Sequence, residues 1–295
     1  MGDAGDAMDD WRVEHDSMGE VRVPAQALWG AQTQRSYQNF RIGTETMPPL
    51  IIRAFALLKK AAAQANVELG VLEPGAGEAI CLACDEILDG RHDDAFPLKV
   101  WQTGSGTQSN MNLNEVIANR GNQIASERGI ALSKPLHPND SVNRSQSSND
   151  TFPTAMNVAA VLAVTERLEP AAQELVSTFR RLEEENEGVV KCGRTHLQDA
   201  VPIAFSQEIS GWRGLVEAGI EELEASLPPL RRLALGGTAV GTGLNAPKGF
   251  DTLVAAKLSA LTGQEFVTDP NKFRALTGKD AIAFSHGAVR ALAAN

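Results

Sequence analysis

From Val158 onward, apolar side chains recur at alternating spacings of three and four residues: Val158, Val161, Thr165, Leu168, Ala172, Leu175, Phe179 and Leu182. A seam sustained for more than three heptads, with one weak position at Thr165, demands a long helix packed at a shallow angle in a bundle. Pro170 falls inside it. Because the seam keeps register on both sides, the proline is expected to kink the helix rather than end it. A second seam follows at Phe205, Ile209, Trp212, Val216, Gly219, Leu223 and Leu227, where Gly211, Gly214 and Gly219 would let a partner helix come close. Each glycine costs about 1 kcal/mol of helix propensity, so packing must compensate. A helix of roughly 30 residues is about 45 Å long and outruns the core of one small domain. A bundle shared between copies of the chain is the expectation.

Helical periodicity dominates the rest, over residues 49–69, 75–88, 112–128, 153–186, 206–225, 250–261 and 279–294. The one extended piece expected is 20–23, ending at Pro24. The fold class is therefore all-α: a long-helix bundle with a smaller, mostly helical N-terminal domain. Residues 1–10 read as a disordered acidic terminus, 11–145 as the N-terminal domain and 146–295 as the bundle. The boundary falls in the stretch 133–150, where Pro, Asn, Asp and Ser replace the helical pattern. Polar loops of that length inside a helical protein are more often functional than idle.

At 295 residues and 43% apolar, the chain can bury the cores of more than one domain. Thirty-seven acidic against 27 basic residues leave a formal charge of −10, which repels nucleic acid and anionic membranes. An anionic substrate would need a locally positive pocket made of a few cations, helix N-termini and backbone N–H groups. The N-terminus has neither the apolar core of a secretion signal nor an Arg-rich presequence, and no apolar run reaches the roughly 18 residues of a membrane span. Asp6 occupies the position where a myristoylation signal starting at Gly2 needs Ser or Thr. Three cysteines, Cys81, Cys84 and Cys192, suit a reducing, cytoplasmic setting. Cys81 and Cys84 have metal-ligand spacing but no second pair to complete a site, so core packing is expected of them. The sequon at Asn143 carries no meaning without export.

Three polar segments interrupt the helices. The first, Thr103 to Glu115, is a run of hydroxyls, amides and glycines leading into a helix. Gly104 and Gly106 let backbone N–H groups converge, and Ser105 and Thr107 add hydroxyl donors, which together suit a carboxylate or phosphate. An ordinary cap needs only one or two such residues. The second, His137 to Asp150, places Ser147, Ser148 and Asn149 before the long helix, with Asp150 or Thr151 able to cap it. A binding loop and an irregular linker account for it equally well. The third, Gly193 to Pro202, holds Arg194, Thr195 and His196 in a Gly-preceded turn. A lone histidine is usually structural, yet imidazole is the commonest proton-transfer group near neutral pH. The Gly-rich stretch 235–245 lacks a basic anchor for phosphate and fits a tight backbone crossing or a chamber wall better.

In this order, the segments Trp29 to Ser36, Trp101 to Asn112, His137 to Asp140, Ser145 to Asp150 and Gly193 to Asp199 resemble the class II fumarate hydratase branch of the fumarase/aspartase superfamily. The resemblance runs from about residue 10 to the end. Related aspartate ammonia-lyases tend to carry Gln where this chain has His196, which favours water over ammonia as the leaving group. The resemblance implies reversible anti addition of water to fumarate, giving (S)-malate, without metal or organic cofactor, within the tricarboxylic acid cycle. It also implies a homotetramer whose active sites each draw on three subunits. Ser105, Gly106 and Thr107 with Ser147, Ser148 and Asn149 would hold the dicarboxylate, and Thr195 and His196 would act at the hydroxyl side, His196 as the catalytic group. His137, Pro138, Asn139 and Asp140 match a second dicarboxylate site, with Lys134 nearby. Lysine where arginine is expected weakens bidentate recognition there.

Family members continue into a mobile Gly-Ser-Ser loop, a Met-Pro-x-Lys-x-Asn sequence, the last bundle helices and a C-terminal domain. These 295 residues contain none of them. Ser285-His286-Gly287 resembles that loop only superficially, because it lies on a helical pattern. Two alternatives therefore stand beside fumarate hydratase: aspartate ammonia-lyase or another lyase of the superfamily, and a non-catalytic assembly fragment.

Overall fold

The computed structural model describes residues 11–295; the terminus expected to be disordered lies outside them. In chain order the elements are β1 (Trp11–Asp16), β2 (Gly19–Pro24), α1 (Ala31–Asn39), α2 (Pro49–Glu68), α3 (Pro74–Leu88), α4 (Thr107–Arg128), α5 (Ser148–Ala163), α6 (Glu169–Glu185), β3 (Val190–Thr195), β4 (Gln198–Ala204), α7 (Phe205–Leu230), β5 (Arg232–Leu233), α8 (Phe250–Thr262), β6 (Val267–Thr268), α9 (Lys272–Thr277) and α10 (Asp280–Ala294). The fold is all-α, as expected. Among the described residues the strands exceed the single extended piece read from the sequence, forming three two-stranded sheets: β1 with β2, β3 with β4, and β5 with β6.

Packing divides the chain into two compact units. One takes the described residues up to Ala159 together with Arg232–Thr277, and the other takes Ala160–Arg231 with Gly278–Asn295. The sequence reading puts its boundary at 145/146, in the polar loop, whereas the compact units part within α5.

The first unit is built around α2. A proline at its first turn and an alanine-rich body favour the helix, and α3, α4 and α8 pack against it. Phe55, Leu58, Ile80, Leu113, Ile117 and Phe250 fill the core between them. The α3–α4 contact is fastened by Glu86, whose carboxylate accepts two hydrogen bonds from Arg120, Nε at 2.6 Å and a terminal nitrogen at 3.0 Å. Helix α4 begins at Thr107, five residues ahead of the expected start. Buried Asn110, Asn112 and Asn114 interrupt the apolar period there; Asn112 Nδ2 reaches outside the helix to the Ala95 carbonyl at 3.0 Å, while Asn114 Oδ1 is buried without a hydrogen-bond partner. The β1–β2 hairpin sits beside α1, with Val21, Val23 and Ala31 forming a small core. Helix α1 has no apolar period to betray it. Its first turn is held by the Glu115 carboxylate, which accepts from the N–H groups of Gly30 (2.9 Å), Gln32 (2.8 Å) and Thr33 (3.1 Å).

In the second unit α6 and α10 both pack on α7, around Ala172, Val176, Val216 and Ile220 with Phe179 and Leu292. Between α5 and α6, residues Val164–Leu168 form a π turn just ahead of Pro170. Proline lacks the N–H and crowds the carbonyl four residues back, so a wider turn is the local solution. The π turn also rotates the following face: Val176 is buried while the seam residue Leu175 remains 42% exposed. In the second seam Trp212 is 44% exposed. Of the three seam glycines, only Gly219 serves a close approach, where an added Cβ would meet the Leu292 backbone at 3.2 Å and its side chain at 2.6 Å. Gly211 and Gly214 face no neighbour within 4 Å.

Candidate active site

The first two polar segments meet in the first unit. Helix α4 opens at Gly106, whose left-handed φ of 69° glycine adopts without strain. A side chain there has no room either, since an added Cβ would lie 2.2 Å from the Phe152 ring. The Gly106 N–H donates to the Thr103 carbonyl at 3.1 Å, so this glycine shapes the turn rather than offering its N–H. Ser105 and Thr107 carry the donors: their hydroxyls lie 3.0 Å apart, and Ser105 Oγ is 3.3 Å from Thr103 Oγ1. A hydroxyl has one proton, and Thr103 gives its own to Gln108 Oε1, so Ser105 donates to Thr103 and Thr107 to Ser105; Thr107 can turn its proton to a ligand in exchange for its bond to Ser105.

Helix α5 opens at Ser148, with Ser147 as its cap, in place of Asp150 or Thr151. Ser147 Oγ accepts from the Asn149 N–H at 3.2 Å, and Asp150 Oδ1 returns the favour by accepting from the Ser147 N–H at 2.9 Å, a reciprocal capping box. Asn110 joins the two openings. Its Nδ2 donates to Ser148 Oγ at 2.9 Å, and its Oδ1 accepts from Thr151 Oγ1 at 3.1 Å. Ser148 thus keeps its O–H to donate. Asn149 is exposed, its Nδ2 donating to the Ala239 carbonyl at 2.8 Å. Two helix N-termini and the hydroxyls of Ser105, Thr107 and Ser148 thereby form one donor-rich region suited to a carboxylate.

Two buried charges underlie this region, and the sequence reading missed them as site components. Lys59 of α2 is fully buried, and its Nζ donates to Asn143 Oδ1 and Gln146 Oε1, each at 3.0 Å. Burial pushes its pKa down to about 7, against the opposing pull of Asp150. Asp150 is also fully buried. Burial raises its carboxyl to about 6 despite the backbone N–H groups it accepts from, Ser147, Thr238 at 2.8 Å and Gly236 at 3.1 Å. The Gly-rich stretch therefore does cradle an anion, the chain's own Asp150. A lysine among the alanines of α2 reads as solvent-facing; its position four residues after Phe55 on a buried stripe was the available signal.

The third segment is a β-hairpin in the second unit. Thr195 pairs with Gln198, leaving His196 and Leu197 as a two-residue turn with φ of 50° and 62°. Turns of this hand favour Asn or Gly, and left-handed conformation costs other residues roughly 1–2 kcal/mol each. Such strain collects at functional positions. His196 and Thr195 are exposed, and Leu197 is 95% exposed. Arg194 Nε reaches Asp199 across the hairpin at 3.1 Å.

The residues matched to a second dicarboxylate site lie in the first unit. His137 caps the π turn Pro138–Val142, its Nδ1 accepting from the N–H groups of Asn139 (3.3 Å) and Asp140 (3.2 Å). The Nδ1 to Asp140 Oδ2 approach of 3.5 Å is therefore between two acceptors and is no ion pair. The ring proton belongs on Nε2. Beside it lies a cleft of about 440 Å³ lined by His15, Asp16, Gln32, Asn119, His137 and Asn139, among others. Lys134 and Asp140 are exposed. Both thiols of the Cys81/Cys84 pair are pushed up by burial, Cys81 to about 11, which disfavours thiolate chemistry.

A family model described as a lyase matches residues 19–295. The chain is 55% identical over 286 residues to the class II fumarate hydratase of Campylobacter jejuni and 54% identical over 286 residues to that of Bacillus subtilis. Each alignment covers 97% of this chain and 62% of the relative. Among solved structures, the class II fumarase of Schistosoma mansoni superposes with a TM-score of 0.92 at 40% identity, over 96% of this chain and 63% of that one. The chain spans about three fifths of the length of the relatives it matches.

Proposed function

The chain belongs to the lyase family that its residues 19–295 match, and from that premise we propose that it forms part of a fumarate hydratase interconverting fumarate and (S)-malate. The observation that carries the proposal is the meeting of the α4 and α5 N-termini through Asn110, which gathers the hydroxyls of Ser105, Thr107 and Ser148. Helix N-termini attract a carboxylate, and hydroxyl donors fixed in advance stabilise charge as it develops. Removing the proton beside a carboxylate of malate makes an aci-carboxylate, whose negative charge such donors meet without reorganisation. Gly106 shapes the turn and Ser147 the cap; Asn149 completes the rim. His196, assisted by Thr195, manages the proton on the hydroxyl side.

The same reading makes the protein a cytoplasmic homotetramer of the tricarboxylic acid cycle, and the exposed seam residues Leu175 and Trp212 support assembly through the bundle. It also assigns a second dicarboxylate site to His137, Pro138, Asn139 and Asp140 with Lys134, where the His137 Nε2–H is available as a donor. The test follows the loss of fumarate's ultraviolet absorbance in the complete protein, beside an ammonia assay with aspartate. Hydration of fumarate without ammonia release, and a His196→Asn variant slowed about 100-fold or more, is the expected result. Ammonia from aspartate would overturn the assignment.

A further inference from the structure

Lys59 is the one cation fully buried among the described residues, and its two acceptors are both neutral amide oxygens of the segment that leads into α5. An ammonium group only donates, whereas an amide can face either way. Lys59 therefore decides how both amides point. With Oδ1 turned to Lys59, Asn143 accepts there also from Asn110 Nδ2 at 3.2 Å, and its own Nδ2 donates to the Gln146 carbonyl at 3.3 Å. With Oε1 turned to Lys59, Gln146 sends Nε2 to the carbonyls of Val142 (3.1 Å) and Arg144 (2.9 Å). The loop is wrapped by its own amides, in an order set from below. Asn110 is the same residue that donates to Ser148, so the chain of bonds runs from Lys59 through Asn143 and Asn110 to the Ser148 hydroxyl.

We propose that Lys59 is a positioning residue: by fixing the Asn143 and Gln146 amides it holds the loop 143–149, and through Asn110 the Ser148 hydroxyl, in the geometry that receives a dicarboxylate. The role at substrate rests on the functional reading above; the role in the loop does not. A lysine that merely filled the core would, on replacement by methionine, lower stability and the active fraction while leaving KM alone. A positioning lysine moves KM. In the complete protein, Lys59→Met should raise KM for fumarate at least tenfold with kcat changed less than threefold. Combining it with Gln146→Leu should add little to the larger single effect. An unchanged KM, or strictly multiplicative effects in the double variant, overturns the proposal. Hydrogen exchange supplies an arm independent of turnover. Lys59→Met should speed amide exchange over residues 143–149 at least tenfold while leaving α3 unchanged, and equal exchange in that loop overturns the positioning role. If Lys59→Met does not fold, Gln146→Leu alone must show the faster loop exchange, and its failure to do so is equally decisive. A wild-type protein that leaves fumarate untouched defeats the functional reading, while loop exchange still decides for or against Lys59.

Discussion

Gly106 combines two constraints that no other residue type meets. Its backbone is left-handed, and the Phe152 ring occupies the place of a Cβ. The side chain cannot simply shift, because Phe152 packs on Phe55 with ring centroids 6.0 Å apart and the planes tilted by 46°. Gly106→Ala should therefore cost about 3 kcal/mol, from αL strain plus overpacking, read as a lowered urea midpoint. Asp150 gives a pH signature. Its folded pKa, about 6, stands above its ordinary value of 3.8, so the fold prefers the protonated form. The stability this group contributes is complete below about pH 4 and is lost as pH rises through about 6. Relative to Asp150→Asn, which does not titrate, the wild type should lose on the order of 2 kcal/mol between those limits. Denaturant midpoints at pH 4 and pH 7 give the comparison, and a pH-independent difference would contradict it.

Among the elements, those with a clean apolar period were legible in the chain: α2, α3, α8 and α10 stand within a residue or two of their expected ends. What escaped did so for physical reasons. Helix α1 is held by Glu115 rather than by an apolar stripe, and the start of α4 is hidden by buried asparagines. The β3–β4 hairpin has no Asn-Gly turn, because His196 and Leu197 occupy the strained positions. The two polar segments that open α4 and α5 were legible in the chain, yet Lys59 and the roles of Asn110 and Asp150 were not. They act by reaching across the fold, and spacing along the chain carries no trace of that. Gly219 shows how such contacts decide a substitution. Alanine would gain about 1 kcal/mol of helix propensity, but its Cβ would meet the α10 backbone at Leu292, and overpacking costs about 1–3 kcal/mol. Gly219→Ala should destabilise the isolated chain, whereas Gly214→Ala, with open space around it there, should stabilise it; thermal midpoints of these 295 residues with either substitution test the pair.

At the scale of the whole molecule, net charge works against the proposed dicarboxylate and the donor-rich region works for it. A net charge of −10 disfavours a dianion in general, so the proposed dicarboxylate would depend on local donors: two helix N-termini and a few hydroxyls, with the buried Lys59 beneath them. The claim that these donors serve hydration of a dicarboxylate is tested most directly by proton NMR of fumarate incubated with the complete protein in deuterated water. Anti addition predicts that the olefinic signal gives way to one diastereomer of malate, carrying a single deuterium on the carbon next to the carbinol. Fumarate that persists unchanged, or a mixture of both diastereomers from the first turnover, would contradict the account.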